Sequence, residues 1–195
     1  MKVQARNEQI LKIAAGGVLI ALSVVLGLIR VYKMPMGGSV TLASMMPLVF
    51  GGLIFGPVWG LVIAMVRSVL DLLIDGVSIP SAWVLLLDYL LAFGVVGFLP
   101  GFFAHPDRGS RPLLGRIALV SHPKLILATV LALLGRFVFS FMSGVLLYGQ
   151  YAPEGMSPVW YSFAYNMTYI LPEMLLTLVV LFLMKAALTR AARKL

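Results

Sequence analysis

Apolar residues run in stretches long enough to cross a lipid bilayer, near 10–30, 40–54, 56–74, 83–103, 124–149 and 159–186, and this constrains the chain more than any other feature. A transmembrane helix needs about 20 mostly apolar residues, because the hydrocarbon core of a bilayer is about 30 Å thick. The second stretch is the short one and runs into Gly51-Gly52, so it is expected to be tilted, bent or only partly spanning. The expected fold is an all-α membrane protein, a bundle of six transmembrane helices forming one domain over 1–195. Charged residues make up 11% of the chain and apolar ones 61%. A soluble domain carries roughly 25% charged residues, so a chain this poor in charge must turn its outer surface to lipid. No stretch alternates apolar and polar residues as a membrane strand would, so strands are not expected.

Lys2, Arg6 and Lys12 precede the first apolar run, as in a signal peptide, but Ile13 to Ile29 is long for a signal core and no small-x-small site follows. It reads as a retained first helix. With the N-terminus inside, one side of the membrane collects Lys2, Arg6, Lys12, Arg108, Arg111, Arg116, Lys124, Lys185, Arg190, Arg193 and Lys194, and the other only Arg30 and Lys33. Basic residues mark the cytoplasmic side, so both termini are expected in the cytoplasm of a multi-pass cell-membrane protein. This asymmetry accounts for the net charge of +8 without nucleic acid as a partner. The basic tail suits anionic lipid headgroups of the bilayer.

Cysteine is absent, which excludes disulfides, thiolate metal sites and cysteine nucleophiles. Both histidines, His105 and His122, fall in the inside loop, so no imidazole metal cluster and no intramembrane histidine base is expected. No metal, cofactor or catalytic set is expected. The first outside loop, RVYKMPMGGSV, carries Pro35 and Gly37-Gly38, so it turns sharply and can approach a ligand closely. Tyr32, Lys33 and Met34 are all within reach of such a ligand. The fifth loop, GQYAPEGMSPVW, reads as a structured lid.

Ionisable groups within a bilayer are costly unless paired or hydrated, so each is a functional candidate. They are Arg67, Asp71, Asp88, Arg136 and Glu173. Arg67, Asp71 and Asp75 are spaced by four, which stacks them on one helix face and lets the first two pair. Asp88, in LLDYLLAF, has no basic residue within a turn, so it needs a partner from another helix or a ligand; Arg136 is the structural alternative. Ser140, Gly144 and Tyr148 form one stripe on the fifth helix, suited either to a ligand or to close helix packing. Tyr161, Tyr165 and Tyr169 form another on the sixth, with Asn166 beside them, whose amide must find partners within the membrane. Pro172 is expected to interrupt that helix, leaving Glu173 to bond the freed backbone or to meet Arg136, a structural role. On the first helix Gly17 and Ala21 form a small-residue face, for packing within the chain or for docking another subunit.

The strings GGSVTLASMMPL, LLDYLLAF, SGVLLYGQYAPEGMSPVWYS and YNMTYILPE resemble, in order, those of the thiamine-specific S-components of energy-coupling factor (ECF) transporters, over nearly the whole chain. The resemblance implies a six-helix bundle that binds the vitamin near the outer face, under the first and fifth loops. It also implies partners: a membrane T-component and two ATP-binding subunits. By position, Asp88 matches the carboxylate that receives the vitamin and Tyr89 follows it as in the family. Gly144 matches the fifth-helix glycine, Tyr148 the stacking aromatic, and Tyr161 and Asn166 a tyrosine and asparagine five apart. Gly17 and Ala21 match the small-xxx-small motif that faces the T-component. Thiamine carries a cationic thiazolium and an aminopyrimidine, and a carboxylate with aromatic faces suits a flat cation.

Where thiamine binders often have histidine four residues before the glycine, this chain has Ser140, a small hydroxyl in place of a ring. Tyr148 is a milder departure, since some members use a larger ring. The alternatives are an S-component for another vitamin or for the pyrimidine moiety of thiamine, and, from other classes, an intramembrane enzyme or an assembly subunit. The enzyme reading lacks a base beside a nucleophile, and an assembly subunit predicts no small-molecule binding.

Overall fold

In lipid the backbone must satisfy its own hydrogen bonds, and a long apolar run does so as a helix. The first helix, Lys2–Leu28 (α1), is unbroken. The computed structural model describes residues 2–76, 81–106 and 113–192. Of the basic residues assigned to the inner side, Arg108, Arg111, Arg193 and Lys194 lie outside the described residues, as does most of the 75–81 turn.

A hairpin follows α1, which corrects the expectation of no strands. Arg30–Lys33 (β1) pairs antiparallel with Ser39–Thr41 (β2), with an irregularity in register between Arg30 and Tyr32. Gly37 and Gly38, at φ 96° and 79°, make the reversal in a region that side chains disfavour. Strands of three and four residues are too short to show the alternation that would have marked them.

Met46–Phe55 (α2) is a ten-residue helix in which every residue is buried. At about 1.5 Å per residue it covers about half of a bilayer core of about 30 Å. Gly56, at φ 93°, ends it, and Pro57 opens Pro57–Asp75 (α3) at the first helical position, where a missing N–H costs nothing. The fourth helical stretch, Ala82–Phe103 (α4), contains a π-helical segment, Leu85–Leu91, and ends in a 3-10 turn, Leu99–Phe103. His122–Leu147 (α5) and Pro158–Ala192 (α6) complete the set. Five of these helices, all but α2, are long and apolar enough to cross a membrane. The fold is therefore an all-α membrane protein, with five helices of spanning length and one of half that length among the described residues.

The half-length helix is the centre of the core. Leu48, Val49, Leu53 and Ile54 of α2 are fully covered, against Leu19 of α1, Ile63 of α3 and Val96 of α4. Backbones approach closely where α3 and α4 cross: a Cβ on Gly60 would run into the Gly97 carbonyl, and one on Gly97 into the Gly60 carbonyl. Large apolar side chains lie on the outside instead, including Leu171, Leu175, Val179 and Leu183 at every fourth position of α6. Water-soluble monomers rarely expose contiguous apolar patches beyond a few hundred Å², so this surface is lipid-facing.

Pro172 does not interrupt α6, which continues through it. One lost backbone bond in a long helix is tolerable when neighbouring groups supply alternatives. At the end of the bundle away from the hairpin, Glu8 of α1 accepts from Arg116 Nη2 at 2.9 Å and lies 3.6 Å from Lys12. Lys185 of α6, also buried there, donates to the Val120 carbonyl.

Candidate ligand-binding site

A cavity of about 250 Å³ opens at the hairpin end of the bundle. That lies just below the roughly 300–1,000 Å³ usual for small-ligand pockets, so the space is limited to one small molecule. Its roof is the hairpin and its turn, Pro35 to Ser39, and its walls are α3, α4, α5 and α6.

Two hydrogen-bonded attachments hold the roof. At the tip, the Tyr165 hydroxyl donates to the Gly37 carbonyl and accepts from the Met36 N–H, each at 2.8 Å. At the base, the Glu173 carboxylate accepts from the Thr41 N–H and the Thr41 hydroxyl, both at 2.8 Å, and at longer range from the Ser44 hydroxyl and Met45 N–H. Met45 precedes α2 and offers no side-chain cap, so Glu173 supplies from α6 the negative charge that a helix N-terminus favours. Glu173 is structural, as expected, but its partners are the roof and α2, neither Arg136 nor backbone freed by Pro172. A buried residue between them, Ala43, adopts φ 59°, a strained value that its surroundings must enforce.

The charged groups sort into pairs and remainders. Arg67 and Asp71 pair at 2.6 Å on α3, as their spacing predicts, and Arg67 Nε also donates to Ser23 of α1 at 3.1 Å. Asp75 does not join that stack but pairs with Arg30 of β1, whose guanidinium it pushes up from its ordinary pKa through the hydrogen bond between them. Asp88 accepts a hydrogen bond from Ser143 of α5 and, among the described residues, has no Lys or Arg nitrogen within 4.0 Å. Arg136, the alternative partner, sits instead over the Phe93 ring at 4.4 Å, with Nη1 3.4 Å from Met45 Sδ.

All seven residues expected to meet a ligand line the cavity: Asp88, Tyr89, Ser140, Gly144, Tyr148, Tyr161 and Asn166. Their surroundings separate the roles left open by spacing. A Cβ on Gly144 would collide with the Ser162 hydroxyl of α6, so that glycine is needed for helix approach as well as cavity space. Asn166 has its partners within the protein: Nδ2 donates to the Ser162 carbonyl at 2.9 Å and Oδ1 accepts from Tyr169 at 2.7 Å. Tyr89 donates to the carbonyl of Gly76, the residue that caps α3, at 2.5 Å. Tyr148, which caps the end of α5, is partly buried in the cavity wall.

Of the first-loop candidates, Lys33 lines the cavity, while Tyr32 is half exposed and Met34 is packed into the core. No residue of 149–160 lines it, so the fifth loop flanks the cavity without covering it. Sequence reasoning missed Ser143 as a site residue and passed over Tyr165 and Tyr169, although the tyrosine spacing on α6 carried the signal for the last two. Gly17 and Ala21 lie away from the cavity on the exposed face of α1, and a Cβ on Gly17 would meet nothing within 4 Å.

Among the described residues, apolar helices of spanning length surround a small cavity roofed by the hairpin, an arrangement suited to a membrane protein that handles a small molecule. The chain belongs to the thiamine transporter protein family (Thia_YuaJ), whose sequence profile matches residues 13–193. It is 28% identical over 182 residues to the thiamine transporter ThiT of Bacillus subtilis (strain 168), covering 92% of each chain. Its fold is similar to that of ThiT from Listeria monocytogenes, with a TM-score of 0.72 at 18% identity, over 92% of this chain and 96% of that one. This membership makes it a membrane transport protein rather than an enzyme.

Proposed function

We propose that this chain is the substrate-binding S-component of an ECF-type importer, capturing thiamine at the outer face of the cell membrane. Asp88 carries the reading. It is a carboxylate on the cavity wall with no protein cation within 4.0 Å, among the described residues, to neutralise it. Leaving such a charge unpaired in a bilayer costs several kcal/mol, and the thiazolium of thiamine would supply the missing cation. Tyr89, Tyr148 and Tyr161 offer the π-faces that favour a flat cation. Gly144 and Ser140 give room beside them, and Asn166 a polar edge.

The positive-inside asymmetry supports an orientation with the hairpin end outside and both termini in the cytoplasm. The short helix α2 then serves as the sixth member of the bundle, in one substrate-binding domain. Transport needs a membrane T-component and two ATP-binding subunits, and the open small-residue face at Gly17 and Ala21 is where α1 would receive the T-component.

Purified protein should bind thiamine saturably, with quenching of tryptophan or tyrosine fluorescence. Asp88→Asn should weaken binding by roughly ten- to hundredfold, the range expected for a hydrogen-bonded charge. Undiminished binding by that variant refutes the assignment of Asp88. Ser140, buried and small, favours a second reading in which the ligand is the pyrimidine moiety alone. Stronger competition by that fragment than by thiamine itself would establish it.

A further inference from the structure

We infer that Ser143 is a positioning residue for Asp88, holding its carboxylate toward the cavity and away from Arg136. The inference rests on reading Asp88 as the group that receives a cationic ligand.

A buried serine or threonine on a helix ordinarily donates its one proton to the carbonyl four residues earlier. Thr129 on the same helix, buried like Ser143, does so, to Leu125 at 2.8 Å. Ser143 does not. Its hydroxyl, 1% exposed, crosses from α5 to α4 and donates to Asp88 Oδ2. A hydrogen bond to a charged group is about twice as strong as a neutral one, so the choice of acceptor is understandable. The consequence concerns Arg136. That guanidinium also lines the cavity, over the Phe93 ring of α4, and is the cation Asp88 would meet if its side chain swung free. Closure of that pair would neutralise Asp88 internally and remove the charge a ligand needs. Ser143 ties Oδ2 and leaves the other oxygen to the cavity that Asp88 lines, with Ser140 also in its wall. Asp88 itself lies in the π-helical segment, a geometry often found at functional sites.

The test is a double-mutant cycle of Ser143→Ala and Asp88→Asn in the purified full chain. It is read as dissociation constants for thiamine and for an uncharged isostere with a thiophene in place of the thiazolium. Ser143→Ala should weaken thiamine by about tenfold or more and the neutral isostere by less than about twofold, and should add nothing in the Asp88→Asn background. A purely structural serine would weaken both ligands alike and act additively with Asp88→Asn; either result overturns the inference. If Ser143→Ala does not fold, Ser143→Cys, which keeps the size and weakens the donor, carries the same comparison. Failure of the wild-type chain to bind thiamine would overturn the proposed function, whereas wild-type binding with an additive cycle overturns only the role of Ser143.

Discussion

Replacing Glu173 with alanine should loosen the roof of the cavity and the start of α2 together. Two strong bonds, from the Thr41 N–H and the Thr41 hydroxyl at 2.8 Å, lose their acceptor in a site where Glu173 is 4% exposed and Thr41 5%. The Thr41 N–H, left unsatisfied, costs about 1–3 kcal/mol, whereas the Thr41 hydroxyl can turn to Ser44 Oγ, 2.7 Å away. The longer contacts to Ser44 and Met45, at 3.3 and 3.4 Å, contribute little by geometry. Loss of the negative charge at the α2 N-terminus adds about 0.3–1 kcal/mol. The total is on the order of 1–4 kcal/mol, and for a chain of this size each kcal/mol moves Tm by about 2–4 °C. Detergent-solubilised Glu173→Ala should therefore melt roughly 3–16 °C below wild type. Glu173→Gln should fall between, since it keeps one acceptor oxygen but turns an amide donor toward donors. Hydrogen exchange localises the effect: the amides of Thr41 and Met45 should lose protection first, before those of α5. A Glu173→Ala variant that melts within about 2 °C of wild type would mean that the carboxylate is not the anchor of this end of the roof, and the reasoning would fail.

Tyr165→Phe keeps the ring and removes the hydroxyl that holds Met36 and Gly37. Both association and dissociation of thiamine should quicken severalfold by stopped-flow fluorescence, because the roof opens more often; faster dissociation alone would mark Tyr165 as a ligand contact instead. Gly144→Ala pushes a methyl against the Ser162 hydroxyl, an overpacking that costs about 1–3 kcal/mol. Ser162→Gly in the same chain should recover most of the lost Tm, and no recovery would place the clash elsewhere. Gly17→Trp, on a face where a Cβ meets nothing, should leave thiamine binding by the isolated protein intact and abolish uptake by the assembled importer. Normal uptake would mean that the T-component docks on a different face.

The fold was legible where one physical demand dominated and obscure where two competed. Hydropathy located α1, α3, α4, α5 and α6 because lipid admits only a self-satisfied backbone. It also flagged the stretch that became α2, but not its length, because a helix covered by protein on every side reads as apolar whether or not it spans. The hairpin was hidden for the opposite reason. Its turn showed in Gly37-Gly38, but its tip is also held by two bonds with Tyr165, more than a hundred positions away, and no local pattern encodes those. The candidate site divides in the same way. Asp88 stood out because an isolated carboxylate in an apolar run has few explanations, and all seven ligand candidates line the cavity under the hairpin. Ser143 did not stand out, because a serine beside Gly144 reads as a packing residue until its proton is traced across to α4. Asp88 and Ser143 therefore hold one charge between them: the carboxylate supplies it, and the serine decides which way it faces. Sequence reveals the first because charge is rare in a membrane, and conceals the second because small hydroxyls are common there.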